Sequence, residues 1–190
     1  CTVYNMIRVA EYLLRWTGEA RYADYIERAL YNGILAQQHP LTGMVAYFLP
    51  LRPGAKKVWG SETHDFWCCH GTLVQAQAMF ENLIYYQHPD GVSVTQFIPS
   101  KASLQVSGQT VLLTLENDDR TTLAHLAEAN GSALAAFTLR ITAEKAGRWT
   151  LRIRQPGWAT GPGTVTVDGT AVAVTPSPAG FLETERDWRT

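Results

Sequence analysis

The chain of 190 residues has few cysteines, almost no net charge and no long apolar run. Its cysteines number three, an odd count that does not fit the paired framework of a small secreted disulfide-rich protein. No apolar run approaches the roughly 20 residues that span a bilayer. A net charge of −1 argues against nucleic acid or an anionic membrane as partner, because both reward a basic surface. Hydrophobic residues make up 46%, which is enough for a packed globular core.

The adjacent pair Cys68-Cys69 is the most informative feature of the sequence. A disulfide across one peptide bond is strained, and the third cysteine is Cys1, so thiolate chemistry or metal ligation is favoured. The pair lies at a predicted helix start, where unpaired N–H groups and the helix dipole stabilise a thiolate. Zinc takes four ligands, and the cysteines would supply three, with a His, Asp or Glu as the fourth. The alternative is that all three are small core residues.

Other polar and aromatic residues near this pair are candidates for binding. His64 and His70 flank it and would ligate metal or contact a substrate, or else serve as a loop residue and a helix-cap neighbour. Tyr47 is an aromatic that would stack on a sugar face or pack in the core. Glu27 stands one helical turn before Tyr31, and the simplest interpretation is a surface pair.

Periodicity divides the chain into a helical half and a β-rich half. Apolar residues at helical spacing predict a helix over residues 3–17, one over 20–35 and one from the cysteine pair towards the turn His88-Pro89-Asp90-Gly91. Between the last two, residues 44–49 are the best candidate strand. Three helices cannot bury their apolar stripes alone, so we expect the end of a larger helical domain that docks on the β-rich half or on a part of the protein outside this chain. Exposed apolar stripes would also favour a homo-oligomer.

Short alternating segments in the second half predict an antiparallel β-sandwich. The fold class is therefore α+β, with a helical domain over residues 1–88 and all or part of a sandwich over 89–190. The sequence Val167-Asp168-Gly169-Thr170 predicts a hairpin turn. The predicted strands cover residues 92–98, 104–106, 111–115, 137–142, 149–154, 164–167 and 171–175.

Several spaced blocks together resemble glycoside hydrolase family 127, the β-L-arabinofuranosidase family. The likeness covers essentially the whole chain and is more specific than the cysteine pair alone. The blocks are Cys1-Thr2-Val3-Tyr4-Asn5-Met6, Arg21-Tyr22-Ala23-Asp24, residues 27–35, Trp67-Cys68-Cys69, Phe97-Ile98-Pro99-Ser100, residues 151–159 and Val167-Asp168-Gly169.

The resemblance implies an (α/α)6 barrel, of which this chain would hold the last helices, followed by a β-sandwich. It implies a retaining glycosidase with Cys68 as a zinc-bound nucleophile and Cys1 and Cys69 as further zinc ligands. Glu27 and Tyr47 match positions that line the family's sugar pocket, and His70 stands where other members often have proline.

The resemblance also places the fourth zinc ligand, a glutamate, two residues before Cys1, and the acid/base glutamate further upstream. We therefore expect the full-length protein to be a hydrolase of β-L-arabinofuranosides or related plant-type sugars, and this fragment alone to be inactive. Its partners would be the carbohydrate and the missing N-terminal part of the same protein. The free thiols favour a bacterial cytoplasmic protein over an exported one, while Asn130-Gly131-Ser132 matches a glycosylation triplet that is common by chance.

Two other functions compete with this one. The first is a non-catalytic carbohydrate-binding or structural module, with a structural zinc or buried cysteines. The second is a metal-free cysteine hydrolase, which would need His64 or His70 to orient the thiolate.

Overall fold

The computed structural model describes residues 1–117 and 135–189, so the triplet at Asn130 lies outside the described residues. Two compact units divide the chain, Cys1–Asn82 and Leu83–Thr190. The division comes a few residues before the expected domain boundary at residue 88, because the first strand already belongs to the second unit. No helix in the two described ranges has the length and hydropathy of a membrane span.

Helix α1, Thr2–Thr17, and helix α2, Ala20–Ala29, form a helical pair in the first unit. The turn between them depends on Gly18, which adopts a left-handed conformation with φ of 69° and donates its N–H to the Leu14 carbonyl. Glycine adopts this conformation without a steric penalty, so it ends the helix where the sequence predicts. The buried residues of the pair are Ile7, Ala10, Leu14, Ala20, Ala23 and Ile26.

The predicted second helix is regular only as far as Ala29. It continues as a π-helical segment, Leu30–Ile34, and a short 3-10 turn, Leu35–Gln37. Asn32 and Gly33 are poor helix formers, and the wider segment brings the Gly33 backbone against α1. A Cβ atom on Gly33 would lie 2.6 Å from Cγ1 of Val3, so the close approach favours glycine at this position.

Two expectations for the rest of the first half are wrong. Helix α3, Cys68–Gln77, ends well before residue 88 and is followed by a 3-10 turn, Phe80–Leu83. The predicted strand at 44–49 is only an isolated bridge between Val45 and Gln38. Its backbone hydrogen bonds, His39 N–H to the Met44 carbonyl and Ala46 N–H to the Gln37 carbonyl, close a turn and leave no neighbouring strand to extend the pairing.

The described strands of the second unit are β1 Tyr85–His88, β2 Gly91–Val94, β3 Ser100–Val106, β4 Gln109–Asn117, β5 Phe137–Ala143, β6 Gly147–Arg154, β7 Val165–Val167, β8 Thr170–Val172, β9 Thr175–Pro176 and β10 Phe181–Trp188. Within the described residues they form a five-stranded sheet in the order β1-β2-β6-β10-β9, a three-stranded sheet β3-β4-β5 and a hairpin β7-β8. The hairpin turn is as predicted, with positive φ at both Asp168 and Gly169.

The mixed α and β composition is confirmed, but the all-antiparallel prediction is wrong for one pair. Strand β2 runs parallel to β6, with Val92 opposite Leu151. A long connection separates these strands in sequence, and a parallel pair requires such a crossover. The two larger sheets contribute to one hydrophobic cluster, centred on Val92, Val94, Val106, Val111, Leu113, Leu115, Ala143, Trp149, Leu151 and Trp188.

A polar cluster lies where β1, β2 and β6 meet. His88 Nε2 is 2.6 Å from Oγ of Ser93, whose side chain is buried. Arg152 donates to both carboxylate oxygens of Asp90, at 3.1 and 2.6 Å, and lies 3.7 Å from Glu183. The imidazole therefore faces one hydroxyl, one cation and two carboxylates.

We expect His88 to make the second unit less stable in mild acid. Burial lowers the pKa of His88, Arg152 acts in the same direction, and Asp90 and Glu183 oppose it. A histidine whose pKa is depressed on folding contributes stability above its unfolded pKa of about 6.5, and this contribution is lost as the pH falls below that value. Urea unfolding followed by tryptophan fluorescence between pH 7.5 and 5 should show this loss in the wild type and a smaller one in His88→Gln. An equal loss in both proteins would contradict the assignment, and His64→Gln, in an exposed loop, is the matched control.

Candidate functional site

The ends of two helices bring the three cysteines together. Cys1 directly precedes α1, and Cys68 and Cys69 are the first two residues of α3. The Cys1 and Cys69 sulfurs are 3.2 Å apart, those of Cys68 and Cys69 are 3.8 Å apart, and all three lie within 4.8 Å of one another. Cys1 and Cys68 are exposed, whereas Cys69 is partly buried.

The sulfur separations of 3.2 Å, 3.8 Å and at most 4.8 Å bracket the spacing of thiolates that share one zinc ion. Zinc binds thiolate at about 2.3 Å, and tetrahedral ligation places two sulfur ligands about 3.8 Å apart. Small shifts of the side chains would bring all three sulfurs to that spacing. Among the described residues, the potential metal-binding group here consists of these three cysteines. The group therefore offers three of the four ligands that zinc takes.

Every sulfur of the group has a hydroxyl neighbour. Tyr47 Oη lies 3.5 Å from Cys69 Sγ and 3.6 Å from Cys68 Sγ, and Thr72 Oγ1 lies 3.1 Å from Cys1 Sγ. The hydrogen bond with Tyr47 lowers the pKa of the Cys69 thiol, and the hydrogen bonds with Cys69 and Cys68 raise the pKa of Tyr47. The phenol of Tyr47 therefore stays protonated and can donate to the Cys69 sulfur when that sulfur is ionised. The sequence analysis identified Tyr47 and missed Thr72.

The two histidines have hydrogen-bond partners other than the sulfurs. His70 Nδ1 accepts the backbone N–H of Trp67 at 3.0 Å, which caps the start of α3. Its ring stacks with Tyr47 and Phe66, at centroid distances of 5.9 and 5.7 Å. His64 Nδ1 lies 2.9 Å from the Thr63 hydroxyl. In the part of the chain that the structure describes, neither ring forms a hydrogen bond with a cysteine sulfur, so this geometry gives no support to a metal-free cysteine–histidine pair.

Two protein-family models match the chain, one in each unit. The model described as the GH127 catalytic domain of β-L-arabinofuranosidase matches residues 1–82, which include the whole cysteine group. The model for the GH127 middle domain matches residues 91–190. The chain belongs to the GH127 β-L-arabinofuranosidase family. A search of curated proteins finds no match.

Solved structures agree with the family assignment. A crystal structure of a GH127 β-L-arabinofuranosidase from Geobacillus stearothermophilus T6 matches with a TM-score of 0.79 and 25% identity, over 98% of this chain and 29% of that one. A GH127 β-arabinofuranosidase gives 0.71 and a protein described as a glycoside hydrolase gives 0.76, each at 21% identity over 100% of this chain and 30% of theirs. The chain therefore spans less than a third of the length of these structures.

Of the six residues that the sequence predicts for the site, five lie close together: the three cysteines, Tyr47 and His70. Tyr47 and His70 adjoin the cysteine group through the contacts described above, with Trp67 packed edge-on against Tyr47 at a centroid distance of 4.8 Å. Glu27 lies on the last turn of α2, partly buried, and its backbone carbonyl accepts the Leu30 N–H at the start of the π-helical segment.

Proposed function

We propose that the protein containing this chain is a retaining glycoside hydrolase of β-L-arabinofuranosides or related sugars, with Cys68 as a zinc-bound nucleophile. The observation that carries the proposal is the convergence of three cysteine sulfurs within 4.8 Å in the segment that matches a GH127 catalytic domain. The named activity of the structural relatives supplies the substrate class.

The family resemblance assigns the role of nucleophile to Cys68. The exposed side chain of Cys68 is compatible with that role, whereas Cys69 is partly buried and its sulfur lies 3.2 Å from that of Cys1. The Cys68 sulfur would attack the anomeric carbon as the bond to the leaving oxygen breaks, and water would then displace the sulfur in a second inversion that gives net retention. A carboxylic acid, which the family resemblance places upstream of Cys1, would protonate the leaving oxygen.

Cys1, Cys68 and Cys69 would hold the zinc, with a glutamate before Cys1 as the fourth ligand. Zinc, when bound, keeps its thiolate ligands deprotonated at neutral pH. The start of α3 adds to this effect, since its unpaired N–H groups favour anionic sulfur at Cys68 and Cys69.

Three further residues are proposed to contact the sugar. Tyr47 Oη lies 3.6 Å from the Cys68 sulfur, so a sugar at that sulfur also meets the phenol. His70 uses Nδ1 to cap α3, which leaves Nε2 for a substrate hydroxyl. Glu27 is assigned from the family resemblance. We further assign residues 1–88 to the end of an (α/α)6 barrel and 89–190 to a β-sandwich.

The main alternative is a non-catalytic module with a structural zinc or buried cysteines. The exposure of Cys1 and Cys68 argues against cysteines that merely fill a core. A structural zinc is distinguished from a catalytic one by whether the metal and Cys68 are needed for turnover.

We expect about one zinc per chain in the full-length protein purified without added metal, as three converging thiolates and one carboxylate would bind it. Removing the metal with a chelator should abolish hydrolysis of an aryl β-L-arabinofuranoside, and added Zn²⁺ should restore it. Elemental analysis and the activity assay on the same samples provide the measurement, and Mg²⁺ addition is the control. Full activity in a metal-free sample would overturn the zinc assignment.

A further inference from the structure

We propose that Thr72 is the positioning residue for Cys1, holding its sulfur in place beside Cys69; this inference rests on the proposed zinc site. Cys1 comes from the start of α1 and the other two cysteines from α3, so their convergence requires a link between the helices. The 3.1 Å contact between Thr72 Oγ1 and Cys1 Sγ supplies that link through side chains.

The direction of this hydrogen bond follows from the charge of the sulfur. A cysteine that binds zinc is a thiolate and has no proton to donate, so the Thr72 hydroxyl must be the donor. A helical threonine commonly turns its hydroxyl to the carbonyl four residues earlier, which here would be that of Cys68. Among the described contacts, the hydroxyl of Thr72 instead faces Cys1 Sγ.

The placement of Thr72 also suits a residue that supports a ligand. It lies one turn after Cys68 on the same helix and is partly buried. Near the start of α1, Val3 approaches Gly33 so closely that a Cβ atom on Gly33 would lie 2.6 Å from Cγ1 of Val3. This contact helps to place the start of α1, and we assign the direction of the Cys1 side chain to Thr72. Residues that hydrogen-bond to metal ligands typically change metal affinity by about 10-fold to 100-fold when they are removed.

The test compares Thr72→Val with Thr72→Ser in the full-length protein. Valine keeps the branched shape of threonine and lacks the hydroxyl, whereas serine keeps the hydroxyl. Zinc affinity from competition with a chromogenic chelator should fall about 10-fold or more in Thr72→Val and stay within about 3-fold of wild type in Thr72→Ser. With Co²⁺ in place of zinc, the sulfur-to-cobalt absorption should weaken in Thr72→Val, which reports the loss of a well-placed thiolate.

Each outcome separates this inference from the proposed function. Tight zinc binding by wild type and by Thr72→Val alike would overturn the role of Thr72 and leave the zinc site standing. Failure of the wild type to bind either metal would overturn both. Thermal unfolding checks that the variants fold, and if Thr72→Val does not fold, Thr72→Ala is compared with Thr72→Ser by the same criteria.

Discussion

Replacing Cys68 with alanine in the full-length protein is expected to lower kcat for an aryl β-L-arabinofuranoside by at least about 10³-fold, as removal of a covalent nucleophile does in other hydrolases. The change deletes the exposed sulfur that the proposed function assigns to attack on the anomeric carbon. It also removes one of the three sulfurs of the candidate zinc site. Initial-rate kinetics with equal amounts of folded protein measure the loss.

Because Cys68→Ala removes a candidate ligand and the nucleophile together, a second readout is needed. A sugar that reacts covalently with the nucleophile should add its mass to the tryptic peptide that contains Trp67, Cys68 and Cys69 in the wild type, and to no peptide in Cys68→Ala. Cys68→Ser keeps an oxygen atom that can lie near the metal but ionises far less readily than a thiol. Zinc retained in Cys68→Ser together with lost turnover would indicate nucleophilic catalysis. Wild-type turnover in either variant would rule out Cys68 as the nucleophile and favour the structural zinc.

The helices that the sequence predicts correctly are those whose start and end have local causes. Helix α1 has apolar residues at regular spacing and a glycine at its end, and both signals are contained within the element. The second helix departs from prediction after Ala29, where Gly33 packs against Val3 from another helix. No periodicity within residues 20–35 encodes that contact.

The strands that the prediction missed depend on partners distant in sequence. Strand β10 carries alternating acidic residues and pairs along its whole length with β6, whose arginines face those residues. Arg148 lies 3.0 Å from Glu185, and Arg152 lies 3.7 Å from Glu183. The residues of strand β1 continue the predicted third helix in sequence, and their antiparallel pairing with β2 makes them a strand. The charged and aromatic residues within one segment do not indicate which distant strand that segment pairs with.

The residues of the candidate site also fall into those that the sequence indicates and those that depend on distant contacts. Cysteine is rare in the chain, so three thiols stand out in the sequence, and the family resemblance supplied their grouping. Thr72 gave no signal, because a threonine within a helix is ordinary and its contact with Cys1 spans 71 residues. Residues that carry chemistry are recognisable by type, whereas residues that hold them in place are recognisable only from the fold.

The second large effect concerns Gly91, the first residue of β2, which lies opposite His88 of β1 and Thr150 of β6. A Cβ atom at this position would overlap the carbonyl oxygen of Thr150, and the neighbouring backbone atoms of that residue lie within 3.0 Å. Backbone in the middle of a sheet cannot rotate aside as a flexible side chain can. We expect Gly91→Ala to destabilise the second unit by about 3 kcal/mol or more, the range of severe overpacking.

Urea unfolding of the full-length protein, followed by tryptophan fluorescence, measures this change, since Trp149 lies in the core beside the affected strand. Gly161→Ala is the matched control: its Cβ would meet no atom within 4 Å, so its effect should stay within about 0.5 kcal/mol. Equal stability of the two variants would mean that β2 and β6 can separate to admit a methyl group, and the parallel pairing would then be weaker than its register indicates. A large loss confined to Gly91→Ala would show that the β2–β6 contact does not admit a methyl group at this position.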